Sequence, residues 1–297
     1  MIRRLLVLAF ALGCLPASAQ LGNFLKNLDP NKIIDTGKKL TEANKDFTQD
    51  EEIQLGEGIA AGVFGGAPPA RDANVQRYVN RVGKWVALHS ERPDLPWTFA
   101  VIEGDTINAF AMPGGTVVIS RGLLQRLHSE AELAAVLAHE IAHVVRKHQL
   151  AAIQSSMSSG AFADIGKDVA SSEISRRGGG GVGGAVVTEL KSRAAGIGIE
   201  ALKNGVFLRP LDRGMEYEAD AMAVVLAARA GYDPYGLVAV LQALQQAKGD
   251  GSGLSLLETH PAPADRIAEL ERSMGRLDRY ASQPQLEGRF KAAVAAK

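Results

Sequence analysis

The pattern of hydrophobic and polar positions divides the chain into a helical start, a short β region and a longer helical remainder. A helical pattern begins at Asp50 and stops at the Gly- and Pro-rich segment 65–69. A second helix is expected after Asp72, whose side chain can cap it. Its apolar face, which we expect to pack in the core, comprises Val75, Tyr78, Val79, Val82, Trp85 and Val86.

Short runs of apolar and β-branched residues then predict three strands, with Pro113-Gly114-Gly115 as the turn between the last two. The runs are residues 97–102, 108–112 and 116–120. From Ser129 onward the pattern is helical again, and the first helix there is expected to continue to about Leu150. The sequence therefore predicts an α+β fold that is predominantly helical, with a small β-sheet.

The N-terminus has the pattern of an export signal. A basic start and an apolar run over 5–15 precede Ala17-Ser18-Ala19, which predicts a signal peptide over 1–19. The chain is then expected to be secreted across the inner membrane into the periplasm, where it can associate peripherally with the outer membrane. In the alternative, Ala11-Leu12-Gly13-Cys14 is a lipobox and Cys14 carries a lipid anchor.

The composition excludes several classes of protein. The chain has 33 Lys+Arg and 33 Asp+Glu, and this balance argues against nucleic acid as a partner. A single Cys excludes an intrachain disulfide framework and a Cys-rich zinc module. Loss of the signal peptide would remove this Cys along with Arg3 and Arg4, so any metal site would have to be built from His and acidic residues.

The helix that starts at Ser129 carries His139-Glu140-Ile141-Ala142-His143, the H-E-x-x-H pattern. Residues four apart lie on one face of a helix, so both imidazoles can bind one metal ion. Glu140 can then take a proton from a water held at that metal. The alternative is that both histidines are ordinary residues of a helix face. His148 is out of phase with His139 on a continuous helix, and we expect it on the solvated surface.

Two imidazoles leave a catalytic zinc site incomplete. The best candidate for a third ligand is Glu216, and Asp220, four residues on, shares its helix face and can support a ligand imidazole. The alternative is a helix start that is simply acidic. His260 and Arg266 are residue types that stabilise an oxyanion, although a turn His and a helix-surface Arg explain them equally well.

With these motifs in view, the chain resembles metallopeptidase family forty-eight, which includes the type-one CAAX prenyl protease and soluble periplasmic quality-control proteases. The resemblance extends from about Glu51 to Leu270. The matching blocks are QRYVNRVG at 76–83, DLPW at 94–97, INAFAMPGG at 107–115, HEIAH at 139–143, EYEAD at 216–220 and THP at 259–261, followed by Arg266.

The resemblance implies a zincin-type domain with one Zn²⁺ per chain. It implies that His139, His143 and Glu216 are the ligands, that Glu140 is the general base and that Asp220 supports a ligand imidazole. His260 and Arg266 are implied to stabilise the tetrahedral intermediate, or His260 to take the fourth zinc position. A substrate backbone would pair with an edge strand, which is expected to involve Asn108, Ala109, Phe110, Gly114 and Gly115.

The expected domain organisation is an N-terminal arm over 20–50, a metallopeptidase domain over 51–277 with a flexible Gly-rich loop at about 176–186, and a C-terminal tail over 278–297. The expected activity is zinc-dependent hydrolysis of misfolded or unassembled cell-envelope proteins, with unfolded envelope or outer-membrane polypeptides as partners. The alternative is a zinc-bound chaperone or assembly factor with little proteolytic turnover.

Overall fold

The computed structural model describes residues 47–158, 211–247, 260, 262–274 and 277–295. The expected signal peptide, most of the N-terminal arm and the Gly-rich loop lie outside these residues. The described chain is mostly helical with one small sheet, which confirms the α+β fold class. None of the helices in these ranges is long and apolar enough to cross a membrane.

Two capped helices open the described chain. Helix α1 spans Gln49–Gly66, and the Thr48 hydroxyl accepts from the backbone N–H of Glu51 while the Glu51 carboxylate accepts from the backbone N–H of Thr48. Helix α2 spans Ala73–Ala87, and the Asp72 side chain accepts from the first free N–H groups, as the sequence predicts. Each cap satisfies N–H groups that lack a partner within the helix.

The part of the chain that the structure describes contributes three strands to the sheet: β1 (Thr98–Ile102), β2 (Ala109–Met112) and β3 (Thr116–Ser120). Their order is β1-β3-β2, with β3 parallel to β1 and antiparallel to β2. A single 3₁₀ turn, Pro113–Gly115, joins β2 to β3. Its Gly114 has φ +77°, a conformation that glycine adopts without a steric penalty.

Helix α2 covers one edge of this sheet with side-chain amides. The Val101 N–H donates to Gln76 Oε1 at 2.9 Å, the Gln76 amide donates back to the Val101 carbonyl, and the Phe99 N–H donates to Asn80 Oδ1. These bonds satisfy strand groups that would otherwise offer a template for another strand. Within the described residues, β2 forms the opposite edge, where only β3 pairs with it.

In the described ranges, seven further α-helices follow the sheet. They are α3 (Arg121–Leu124), α4 (Glu130–Val145), α5 (His148–Ser158), α6 (Arg213–Arg229), α7 (Gly236–Ala247), α8 (Pro263–Met274) and α9 (Glu287–Val294). Helix α4 is buried along nearly its whole length and packs against α2, α6 and α7. It is therefore the central helix of the core, and any group it carries is held by neighbours on several sides.

Two expectations about the helices are wrong. Helix α4 ends at Val145 and not near Leu150, because Lys147 adopts a left-handed conformation with φ +58° and a new helix starts at His148. Trp85 does not lie in the core, since it is 49% exposed and its indole N–H donates to the carbonyl of Ala230. An amphipathic aromatic residue can occupy the rim of a helix face in this way.

The segment that the sequence assigns to a tail, 278–297, contains α9, which packs on α2 and α4. Phe290 of α9 is buried in the main core. The carboxylate of Glu130, at the start of α4, accepts from the hydroxyls of Tyr78 and Tyr232 and pairs with Arg289 of α9. This polar cluster, centred on the buried carboxylate of Glu130, connects α9 to the central helix.

Candidate metal centre and active site

Helix α4 holds two imidazoles side by side at the centre of the molecule. The Nε2 atoms of His139 and His143 are 3.0 Å apart, and both residues are buried. Helix α6 packs along α4 and brings Glu216 to them: its Oε2 lies 3.5 Å from His139 Nε2 and its Oε1 lies 3.5 Å from His143 Nε2. The spacing of four residues on α4 thus places both imidazoles on the face that meets Glu216.

A third imidazole comes from the segment before α8. His260 Nδ1 lies 2.6 Å from Glu216 Oε2. Each of the four side chains offers one ligand atom, and these atoms lie within 4.8 Å of one another. Among the residues that the structure describes, Glu216 Oε1 is a buried oxygen without a hydrogen-bond partner. Imidazole nitrogens and a buried carboxylate oxygen that lacks a donor fit a zinc ion.

The second nitrogen of His139 faces a buried ion pair. Its Nδ1 is 2.9 Å from Asp220 Oδ1, and Arg266 donates to both oxygens of the same carboxylate. Asp220 and Arg266 are 1% and 4% exposed. A carboxylate that accepts from Nδ1–H leaves the Nε2 lone pair directed at the metal position.

The electrostatics of the site favour ionised carboxylates. Burial opposes ionisation of Glu216 and Asp220, but the imidazoles beside Glu216 and the guanidinium beside Asp220 hold the pKa of each carboxyl well below its usual range. Burial and Arg266 disfavour a charged His139, yet the bonds to Asp220 and Glu216 raise its pKa to about 9. Burial and the neighbouring His139 lower the pKa of His143. Metal binding would release the proton from His139.

The pKa of Glu140 is shifted in the opposite direction to those of Glu216 and Asp220. Glu140 is buried beside the cluster, and burial raises the pKa of its carboxyl because the charged form loses hydration. Its side chain and those of His139, His260 and Arg266 line one pocket. A carboxylate with a raised pKa next to a metal position can accept a proton and later return it.

The remainder of that pocket is apolar, a feature that the sequence analysis missed. Helix α7 presents four apolar side chains to it at the spacing of one helix face, and the pocket is closed by residues from β2, α3 and α4. The apolar lining comprises Leu237, Val240, Leu241, Leu244, Ala109, Leu123 and Val136. The i, i+3, i+4, i+7 spacing on α7 was the available signal, although core packing has the same signature.

The residues expected at a substrate strand are spread along β2 and its turn. Ala109 lines the pocket, and Asn108 precedes it. Phe110 is half-buried and packs in the smaller core cluster with α1. Gly114 and Gly115 lie at the other end of β2, are buried, and the Gly114 N–H donates to Glu52 Oε1. Of this group, Ala109 alone is among the residues that line the pocket.

The expectation for His148 is wrong. His148 is 4% exposed, and its Nδ1 lies 2.9 Å from Nδ1 of His143. A continuous helix would point it away, but the left-handed Lys147 turns the chain and brings His148 back to His143. Its Nε2 lies 3.4 Å from Glu218 Oε2. Neither His148 nor Glu218 was recognised from sequence, and a histidine five residues after H-E-x-x-H was the available signal.

Comparison with known proteins agrees with this geometry. The family model described as "Peptidase family M48" matches residues 69–274, which include every residue of the cluster. The chain belongs to peptidase family M48. This confirms the family resemblance that the motifs indicate.

Curated relatives support membership of the M48 family. The beta-barrel assembly-enhancing protease of Escherichia coli K12 is 28% identical over 235 residues, which cover 77% of this chain and 45% of that protein. The mitochondrial metalloendopeptidase OMA1 of Schizosaccharomyces pombe is 32% identical over 65% of this chain and 51% of that protein. The metalloprotease YcaL of E. coli K12 is 25% identical over 82% and 87%. The chain spans about half the length of the first two relatives.

Proposed function

We propose that this M48 protein is a zinc-dependent metalloendopeptidase. The observation that carries the proposal is the meeting of His139, His143 and Glu216 in one buried cluster, with Glu140 beside it in the same pocket. Zinc is proposed as the metal because the available donors are imidazole nitrogens and one carboxylate. Curated relatives named as proteases support the same activity.

In this mechanism His139, His143 and Glu216 would hold the ion, and Asp220 and Arg266 would orient His139. A bound zinc ion supplies Lewis-acid polarisation of the scissile carbonyl and acidifies a water molecule. Glu140 would accept a proton from the attacking water and pass it to the leaving amine. Arg266 is hydrogen-bonded to Asp220, and His260 is in contact with Glu216. To stabilise the developing oxyanion, either side chain would have to offer it a donor in addition to these contacts.

The proposed substrates are misfolded or unassembled envelope proteins, including unfolded outer-membrane polypeptides. The surface beside Glu140 is lined by apolar side chains, which would favour contact with apolar residues of a substrate, and unfolded proteins expose such residues. An extended substrate backbone is proposed to pair with β2, as in strand addition. The export-signal pattern over 1–19 and the name of the E. coli relative support action in the periplasm, close to the outer membrane.

The decisive experiment compares zinc content and casein cleavage for the wild type and Glu140→Gln. We expect one zinc per chain in both, cleavage by the wild type alone, and loss of cleavage when zinc is chelated. Glu91→Gln is the control, because Glu91 is half-exposed and pairs with Arg229 on the surface. Cleavage by Glu140→Gln at the wild-type rate would refute the assigned base.

A second function has one observation in its favour. His260 lies 2.6 Å from Glu216 and belongs to the same cluster, so it can fill the fourth zinc position and exclude the water that hydrolysis needs. The protein would then be a zinc-bound chaperone or assembly factor. Full rescue of envelope phenotypes by Glu140→Gln would favour that function over proteolysis.

A further inference from the structure

His143 contacts a histidine that the hydrolytic mechanism does not use. His143 Nε2 points into the cluster, 3.0 Å from His139 Nε2 and 3.5 Å from Glu216 Oε1. Its other nitrogen, Nδ1, points away from the cluster and meets His148 Nδ1 at 2.9 Å. Both residues are buried, so water does not compete readily for this contact. The two ring nitrogens of His143 therefore have different partners: Nε2 faces the cluster and Nδ1 faces His148.

Metal binding fixes where the protons of this pair must be. A neutral imidazole that uses its Nε2 lone pair for a metal carries its hydrogen on Nδ1. His143 Nδ1–H must then donate, and His148 Nδ1 must accept. The hydrogen of His148 is thereby placed on Nε2, which faces Glu218 Oε2 at 3.4 Å. Glu218 Oε1 is in turn 2.9 Å from Nε of Arg146.

The backbone changes direction at Lys147, between the two histidines. On a continuous α-helix, a residue five positions after His143 would point about 140° away from it. The left-handed turn at Lys147, with φ +58°, removes this offset and starts α5 at His148. This conformation is sterically disfavoured for a residue other than glycine. The fold thus accepts local strain immediately beside the His143–His148 contact.

We infer that His148 and Glu218 are positioning residues that hold His143 in the tautomer and ring orientation required for metal binding. They do for His143 what Asp220 and Arg266 do for His139. The two imidazoles have different partners: His139 Nδ1 contacts the buried carboxylate of Asp220, and His143 Nδ1 contacts the imidazole of His148. The inference rests on the metal site proposed above and is independent of whether peptide hydrolysis follows.

The test measures zinc affinity, by competition with a chromophoric chelator, for the full chain and four variants. His148→Leu removes the acceptor and is expected to weaken zinc binding about 10–100-fold. His148→Asn offers an amide oxygen near the position of Nδ1 and should restore most of that loss. His128→Leu is the control, because the side chain of His128 is 73% exposed and remote from the cluster. Its affinity should equal that of the wild type.

Glu218→Leu should give a smaller loss than His148→Leu, because Glu218 is half-exposed and water can replace its carboxylate. Unchanged zinc affinity in His148→Leu would overturn the inference, and so would an equal loss in the Leu and Asn variants. A wild type that binds no zinc would overturn the metal site as well. Casein cleavage is not used, so a failure of the protease proposal would be seen separately in the Glu140→Gln experiment.

A second measurement needs no variant and is therefore independent of folding defects. In the zinc-loaded wild type, ¹⁵N spectra of labelled histidines should show a protonated Nδ1 on His143 and an unprotonated Nδ1 on His148. The reverse arrangement would contradict the direction of the hydrogen bond on which the inference depends.

Discussion

The Asp220–Arg266 pair provides a stability prediction with a magnitude that follows from burial. Asp220→Ala would leave the Arg266 guanidinium, 4% exposed, without its bidentate partner. The next carboxylate oxygen, on Glu216, is 4.0 Å from Arg266 Nη1 and too far for a hydrogen bond. Removing one partner of a buried pair costs about 3–5 kcal/mol of unfolding free energy. For a domain of this size, that lowers Tm by roughly 6–20 °C.

A double variant separates the effect of the charge from that of packing. In Asp220→Leu/Arg266→Met both charges are gone, and the main remaining defect is the Nδ1–H of His139, which loses its acceptor at 2.9 Å. An unsatisfied buried donor costs about 1–3 kcal/mol, so the double variant should be more stable than Asp220→Ala.

The assay is urea unfolding of metal-free protein, since bound zinc would add its own stabilisation to the folded state. A double variant as unstable as Asp220→Ala, or less stable, would refute the reasoning. It would mean that shape, and not an uncompensated guanidinium, dominates at this position. Equal m-values across the three proteins are the check that unfolding exposes the same surface.

Two other predictions concern the scaffold, both read by urea unfolding. A Cβ at Gly56 would lie 1.7 Å from the Pro113 carbonyl oxygen, so Gly56→Ala should lower the unfolding free energy by about 1–3 kcal/mol. Gly65→Ala in the same helix is the control, because its Cβ would meet open space and should not destabilise. Equal stabilities of the two variants would contradict this prediction. Glu130→Ala leaves two tyrosine hydroxyls without their acceptor and should cost about 2–4 kcal/mol, more than Tyr232→Phe; the reverse order would show that the carboxylate is not the centre of that cluster.

The apolar pocket allows a prediction about specificity. Val240→Phe should fill the pocket beside Glu140 and lower kcat/KM for peptides with a large apolar residue next to the scissile bond, while cleavage of peptides with Ala there is retained. Leu88→Phe is the control, because Leu88 is 60% exposed and outside the pocket. An equal loss for both peptide classes would argue against the pocket as a specificity site.

Features that depend on local spacing were predictable from the sequence. The Asp72 cap, the three strands and the shared face of His139 and His143 follow from helix and strand periodicity, and the structure has them. The approach of Glu216 to the imidazoles was expected from the family resemblance more than from spacing, since nothing local brings α6 to α4.

Features that depend on one backbone turn or on distant partners were not predictable. His148 was misassigned because a lysine gives no signal for a left-handed turn, which glycine usually marks. The bond from Arg266 to Asp220 joins two helices 46 residues apart in the chain, and α9 contacts α4 through Glu130 and Arg289, which are 159 apart. Such pairings are decided by packing and not by any pattern within one segment.

The distribution of the cluster over three segments has a consequence for timing. His139 and His143 come from α4, Glu216 from α6 and His260 from the segment before α8, so no stretch of chain carries a complete centre. A chain that is still extended has no hydrolytic centre, because its acid and its imidazoles are far apart until the helices dock. The activity proposed for this protein would therefore begin only when its own fold is complete. Before that point, neither the chain itself nor its unfolded neighbours would be cleaved by it.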